Sequence, residues 1–492
     1  MKFERISLLV ILATVPVIYA AVQTWVWAWY VVAVFVTFLS AYWRKKIRLR
    51  DNGFGAVWVV YLFLAWTFFQ TLPLPAEWLA QLSPFRSNLL NNARDLAGVT
   101  DGWPSMAYVH RIGLEQWILW VAAFLLAMLV AAACRERGFL TTLAVMLLVV
   151  GGLEALYGLV QALVPSTGVL GVAKYYMGDA RGTYINRNHF AGMMEMVWPL
   201  GLGYLLSLSE WEGKLKLKYL INSDYFNRQL LIAIALVVMF LGQIFSRSRA
   251  GIAGLLLGFV AFVGAMTFSG AGLRKGFWIG TGVAVALLGL YCAQIGLDNV
   301  VARFLELEHG NSRADMWRDA WLIVLQHPFG VGPGNYQAVE PLFQLHHQPL
   351  GRLAVYTHND YLQLLVETGW PGFLLLTGGF LYVLVRGLAG VRQAYRREEY
   401  SPRFFLTAGA WSGLISLAWH SYFDFNLQIP ANLLYFAMLI GIVTSSFRQG
   451  SGVRGQEAGV RRQGSGIGNQ WSGIRGQGSE EEERWVRSRL RS

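Results

Sequence analysis

The sequence predicts an all-α polytopic membrane protein with about twelve transmembrane helices, and three observations predict it. Hydrophobic residues make up 55% of the 492-residue chain and charged residues only 14%, where soluble globular chains carry about 25% charged residues. Apolar runs near 20 residues in length recur from end to end, each able to cross a hydrocarbon core of about 30 Å. The excess of Lys and Arg (41) over Asp and Glu (29) lies in short connectors between those runs. A net charge of +12 distributed in this way reflects the positive-inside bias and argues against a nucleic-acid partner.

In chain order, the apolar windows fall near 6–22, 25–43, 54–72, 113–134, 139–164, 189–208, 230–246, 250–268, 277–296, 360–385, 404–423 and 431–447. With the N-terminus in the cytoplasm, the basic connectors 44–50, 135–137, 214–218, 273–275 and 386–397 all fall inside. The long connectors 73–112 and 297–359 fall outside, and an even count returns the C-terminus to the cytoplasm. The opening MKFERISLLVILATVPVIYAA has the pattern of a signal peptide, but a second apolar run follows at about Trp25. That favours an uncleaved first hairpin, with cleavage as the alternative. Cys134 and Cys292 lie in predicted spans near opposite faces and read as small core residues rather than a disulfide.

The multi-span domain is expected to cover 1–447. Residues 448–492 repeat a Gly-Ser-Gly-Arg-Gln theme and end in EEEERWVRSRLRS. Such a composition cannot bury a core, and a disordered, low-complexity cytoplasmic tail is expected there. In the large outer loop 297–359, SRADMWRDAWLIVLQ (312–326) places Ala314, Trp317, Ala320, Trp321, Val324 and Leu325 at helical spacing. HPFGVGPGNY (327–336) then breaks that helix with Pro and Gly. The expectation is an amphipathic helix lying on the outer membrane face, with a packing lid as the alternative.

Basic residues on the predicted outer side are the informative ones. Arg181 and Arg187 occur in DARGTYINRNHFAG, Arg247 and Arg249 in FSRSRAG, and Arg313 and Arg318 on the loop helix. A lone outer Arg is usually an interfacial anchor. Six in three connectors suggest a held anion, and the planar guanidinium fork suits phosphate. Glu154, Glu195 and Glu367 fall inside predicted spans, where carboxylates are functional or paired; an outer arginine is the expected partner of Glu367. His358, Asn359 and Asp360 stand at the mouth of the span that runs to Val385. They read either as a helix cap or as a base held at the membrane surface. His346, His347, His358 and Asp360 are suitable metal-ligand types, but their spacing fits no known frame, and neither a metal nor another cofactor is expected.

RGTYINRNHFAG (181–192), SRSRAG (246–251), SRADMWRDAW with HPFGVGPGNY (312–336), THNDYLQLLVETGWPG (357–372) and HSYFDFNLQIPAN (420–432) occur in that order. Together they span about 150–435, and the ordered set resembles the O-antigen ligase / O-antigen polymerase superfamily of bacterial membrane glycosyltransferases. The resemblance implies a GT-C-like helical fold in the bacterial inner membrane, with a large periplasmic loop that contains amphipathic helices. It implies inverting, metal-independent transfer of a glycan from undecaprenyl diphosphate to an acceptor hydroxyl at the periplasmic face. His358 matches the family's catalytic His, Arg249 the Arg of the short S-x-S-R turn, and Arg313 the Arg before the Trp-bearing helix. Arg181 matches a more variable position, and Arg247 has no clear counterpart. Asn359 and Asp360, capping the helix and fixing the ring, and Glu367 are placed in support.

The acceptor could be lipid A-core, a growing glycan or a protein hydroxyl. HSYFDFNLQIPAN leans towards a polymerase-like branch of polysaccharide biosynthesis. A reading of another class is a twelve-span transporter of lipid-linked oligosaccharide or polysaccharide. Transporters commonly show two similar halves, whereas here the cluster of six outer arginines named above and the loop 297–359 follow residue 180.

Overall fold

Runs that are apolar on every face form helices because, in lipid, each backbone N–H and C=O must find its partner within the segment. The computed structural model describes residues 1–47, 57–98, 104–136, 138–172, 178–208, 224–272, 282, 313–346 and 354–447. All regular structure among them is helical, apart from one isolated bridge between Val169 and Val172. The helices are α1 (Lys2–Thr14), α2 (Thr24–Trp43), α3 (Val57–Phe69), α4 (Ala76–Leu82), α5 (Pro84–Ala97), α6 (His110–Ala133) and α7 (Phe139–Leu163). They continue with α8 (Arg187–Ser207), α9 (Asp224–Phe245), α10 (Arg249–Ser269), α11 (Arg313–Gln326), α12 (Asp360–Arg397), α13 (Pro402–His420) and α14 (Pro430–Thr444).

Eleven of the twelve apolar windows coincide with helices among the described residues. Six of these helices are long and apolar enough to cross a membrane: α2, α6, α7, residues 227–245 of α9, α10 and α12. α3 and α14 are shorter apolar helices. The count of twelve thus rests on the sequence and the six on the structure. The ninth window, 277–296 with Cys292, lies outside the described residues apart from residue 282. So do the connectors 214–218 and 273–275, the loop stretches 297–312 and 347–353 with His347, and the tail 448–492. Cys134 is buried and free.

At the centre, α8 and α13 run antiparallel and close. A Cβ at Gly203 would stand 2.4 Å from the Phe405 carbonyl oxygen, and one at Gly409 would stand 2.5 Å from that of Pro199. Small residues let membrane helices approach until their backbones touch, which is where such bundles gain packing energy. α10 crosses α13 in the same antiparallel sense, pairing Gly254 with Ser416 and Gly258 with Ser412 and Ser416. The N-termini of α8 and α10 are therefore both carried to the C-terminal end of α13.

Two expectations need correction. The span that begins after His358 is not one helix. Gly369 has φ +65° and ψ −176°, so the chain makes a short helix over 360–368 and then a long one over 370–397. The break frees carbonyls, and all the freed oxygens of 366–368 are met. Val331 N–H donates to Val366 O at 3.0 Å, Gly332 N–H to Glu367 O at 3.0 Å and the Trp66 indole to Thr368 O at 2.7 Å. Trp370 N–H donates in turn to Pro328 O at 2.9 Å. The HPFG turn (327–330) and the ETGW break (367–370) are thus interlocked.

The loop helix α11 does not simply lie on a membrane face. Met316, Ala320, Ile323 and Val324 are buried in a small core with Val331, Val339, Leu365 and Val366. Trp321 and Leu325 are exposed. The other connector joins this cap, because Tyr108 Oη meets His327 Nε2 at 2.8 Å, and burial holds the His327 imidazole down at about 4, hence neutral.

A Cβ on Gly330 would stand 2.5 Å from Glu367 O and 2.6 Å from Gly369 N, at φ +86°. Gly330→Ala should therefore cost about 2–4 kcal/mol, read as a lowered unfolding temperature of the solubilised protein. Gly98→Ala, at φ +65° with nothing within 4 Å, should cost only about 1 kcal/mol. Equal effects would contradict the interlock.

Candidate active site at the end of α13

The chain leaves α13 at His420 and turns sharply, with the His420 carbonyl accepting from both Phe423 N–H at 2.8 Å and Asp424 N–H at 3.0 Å. Four helix N-termini meet this turn. α12 arrives through Asp360 N–H, which donates to Ser421 O at 2.8 Å. α11 arrives through Arg313, whose guanidinium donates to the Phe423 carbonyl. α8 arrives through Asn188, whose amide donates to Asp424 Oδ2. α10 arrives by its antiparallel register with α13. Each N-terminus carries a partial positive charge, so the turn sits where an anion is favoured.

The helix starts are set locally by their own sequence. Asn186 caps α8 by accepting from Asn188 N–H at 2.9 Å, and Ser248 caps α10 by accepting from Gly251 N–H at 3.3 Å. Asn359 caps α12, its Oδ1 accepting from Tyr361 and Leu362 N–H at 3.0 Å each. The residue before that cap, His358, has φ +53°, a conformation costly for a non-glycine residue and characteristic of functional sites. The Trp317 indole donates to Thr357 O at 2.9 Å and so ties α11 to the approach to His358.

Asp424 is the hub. Its Oδ1 meets His358 Nδ1 at 3.2 Å and lies 3.9 Å from His189 Nε2; its Oδ2 lies 3.5 Å from Arg313 Nη2. Phe425 presents its ring to both imidazoles edge-on, with centroids 4.6 Å away in each case, and Tyr356 stacks on it at 4.5 Å. The bond to Asp424 places the His358 proton on Nδ1 and leaves the Nε2 lone pair available. The His358 side chain is 32% exposed, whereas Asp424 is buried. The Oδ1 bond also shows what fixes the ring. It is Asp424 and not Asp360, whose Oδ2 turns away to accept from Leu427 N–H at 3.0 Å.

The remaining predicted residues are placed as follows. Arg249 is the first residue of α10, at the N-terminus that reaches the turn. Arg181 is buried, 5% exposed, with its N–H held by Gln161 Oε1 at 3.2 Å. Arg187 and Arg247 share one carboxylate, Asp179, at 2.9 Å and 3.5 Å, and Arg318 pairs with Asp315 at 2.9 Å. Among the described residues, the hydrogen-bond partners of the Glu367 carboxylate are not arginines. Its oxygens accept from Gly334 N–H at 2.9 Å and from the Gln363 amide at 2.6 Å, so it holds the interlocked turn. Glu154 likewise accepts from the N–H and hydroxyl of Thr183, both at 2.8 Å. His346 is drawn to Asp319 at 2.7 Å, and among the described residues no three His, Cys, Asp or Glu side chains converge as metal ligands.

Asp424, Asn188, His189 and Phe425 carry no role in the sequence reading, although all four stand in motifs quoted there. The available signal was an acid set between two aromatics directly after a span, FDF at 423–425.

Burial raises the Asp424 carboxyl, but the hydrogen bond from His358 and the charges of His189, His358 and Arg313 outweigh it and hold the group well below the usual carboxylate range. A carboxyl lowered in the folded state stabilises the fold above its unfolded value and loses that contribution as pH falls towards its folded one. Asp424→Asn should therefore unfold at a lower temperature than wild type at pH 7. The gap should narrow once pH drops below about 4; a gap independent of pH would contradict the charged hub.

Residues 234–377 match the O-antigen ligase family. No curated protein matches the chain. The matched stretch contains Arg249, Arg313 and His358, while Asp424 and the Asn188–His189 pair lie outside it. Residues 234–377 thus carry the likeness to the O-antigen ligase family, within an all-helical chain that has six helices able to cross a membrane among its described residues.

Proposed function

We propose that the protein is an inverting, metal-independent glycosyltransferase that moves a glycan from undecaprenyl diphosphate to an acceptor hydroxyl at the periplasmic face of the bacterial inner membrane. The observation that carries this reading is the His358–Asp424–Arg313 constellation, a base and a cation on one carboxylate among converging helix N-termini. His358 Nε2 takes the proton of the acceptor hydroxyl as its oxygen attacks the anomeric carbon. Asp424 keeps the ring's other proton on Nδ1 and stabilises the imidazolium that forms. The bond between the anomeric carbon and the diphosphate oxygen breaks from the opposite side, which inverts the centre.

The leaving lipid diphosphate is a stable anion and needs charge stabilisation more than a proton. Arg313, Arg249 and Arg181, together with the N-termini of α8 and α10, supply it. Asn359 supports the base by capping α12, Asp360 by tying that helix to the turn, and Glu367 by holding the helix break. The acceptor is a growing glycan, lipid A-core or a protein hydroxyl.

The test uses purified protein in lipid, an undecaprenyl-diphosphate oligosaccharide donor, and each acceptor class in turn. Products are resolved on gels. His358→Ala and His358→Gln should each lose transfer by about 10²–10⁴-fold, and Arg313→Ala by about 10²–10³-fold. Full transfer by both His358 variants would end the assignment of this base. Failure of the wild type with all three acceptors would leave transport of the lipid-linked glycan as the better reading.

A further inference from the structure

Two ionisable residues beneath the site have no part in the transfer chemistry described above. Glu195 lies two turns into α8, and His420 ends α13; both are fully buried. Ionisable side chains inside a membrane bundle are costly and mark function or a specific pairing. Here they meet directly, His420 Nδ1 to Glu195 Oε1 at 2.8 Å. The charged and titratable groups around the pair are His189 on α8, Asp424 in the turn and Arg313 on α11. α10 brings Gly254 against it, and a Cβ there would stand 2.2 Å from Glu195 Oε2 and 3.1 Å from Ser416 O.

The position of this bond matters because of what His420 does with its backbone. Its carbonyl is the oxygen on which Phe423 and Asp424 fold back. The next carbonyl receives Asp360 of α12, and the Phe423 carbonyl receives Arg313. The ring that Glu195 clamps therefore belongs to the residue from which the Asp424 turn is built. We infer that Glu195 and His420 are positioning residues for the transfer reaction: their bond locks the end of α13 and, through the 420–424 turn, holds Asp424 against His358.

This inference rests on His358 as the transfer base, and its test uses one readout that needs no turnover. Full-length Glu195→Leu, Glu195→Gln and Gly254→Ala are prepared in lipid. The kcat and KM of transfer are measured, together with the pH midpoint at which His358 reacts with diethyl pyrocarbonate, read by mass spectrometry of its peptide. Among the described residues, the groups facing His358 are Asp424 from the turn and His189 from α8, with Arg313 of α11 on the other oxygen of Asp424. Losing a fixed carboxylate neighbour destabilises the imidazolium and lowers the midpoint.

Glu195→Leu should lower kcat about 10- to 100-fold, change KM by less than about threefold and move the midpoint down by about half a unit or more. Glu195→Gln keeps an oxygen that accepts from His420 Nδ1–H, and should stay within about threefold of wild type in kcat with its midpoint in place. Gly254→Ala displaces the carboxylate without removing it and should repeat the leucine phenotype in milder form, which decides the matter if Glu195→Leu does not fold. A folded Glu195→Leu or Gly254→Ala with wild-type kcat and midpoint would overturn the inference, as would a glutamine variant as impaired as the leucine one. If the wild type transferred no glycan, the assignment of His358 would fail, while the midpoint in Gly254→Ala would still decide whether the pair positions Asp424.

Discussion

The carboxylate of Asp424 is the constraint on which the rest of the site depends. It is buried at the end of α13 and could not stand there unpaired, since an isolated charge in such surroundings costs several kcal/mol. Its partners come from three helices: Asn188 of α8, Arg313 of α11 and His358 at the head of α12. Satisfying one carboxylate therefore draws three separate parts of the chain together. The same contacts give His358 its tautomer and Arg313 its position, so stability and chemistry are set by one group.

Around that hub, the fold handles its polar backbone in a way suited to a membrane boundary. Helices that start at the site carry their own caps, Asn186, Ser248 and Asn359, so the first free N–H groups are met by the chain itself. Where a helix breaks, as at Gly369, the freed oxygens are taken by the N–H groups of Val331 and Gly332 and by the side chains of Trp66 and Gln70. Unwound backbone within a membrane protein's apolar runs is tolerated only where protein covers it. The result is a short helix over 360–368, locked at both ends, with His358 at one of them.

The general architecture was legible because apolar periodicity and length are strong signals over 20 residues. Helices cover eleven of the apolar windows. The cap at Asn359 was legible as an Asn before an apolar run, whereas the caps at Asn186 and Ser248 emerge only from the structure. What sequence spacing could not show is pairing across 66 positions or more, as between His358 and Asp424 or between Asn188 and Asp424. The Gly369 break was hidden for a related reason. Gly followed by Trp and Pro inside an apolar run is compatible with a continuous span, and only the close approach of Phe329 and Gly330 forces the turn. Charge alone points Glu367 to an arginine, whereas the buried turn gives it the N–H of Gly334 to accept from.

The most direct measurement is an experimental structure with an undecaprenyl-diphosphate oligosaccharide bound to the His358→Gln protein in lipid. The account predicts the diphosphate between Arg313 and the N-termini of α8 and α10, with the anomeric carbon facing residue 358 across a gap large enough for one hydroxyl. A diphosphate seated elsewhere, with the sugar turned away from residue 358 and from Asp424, would contradict it.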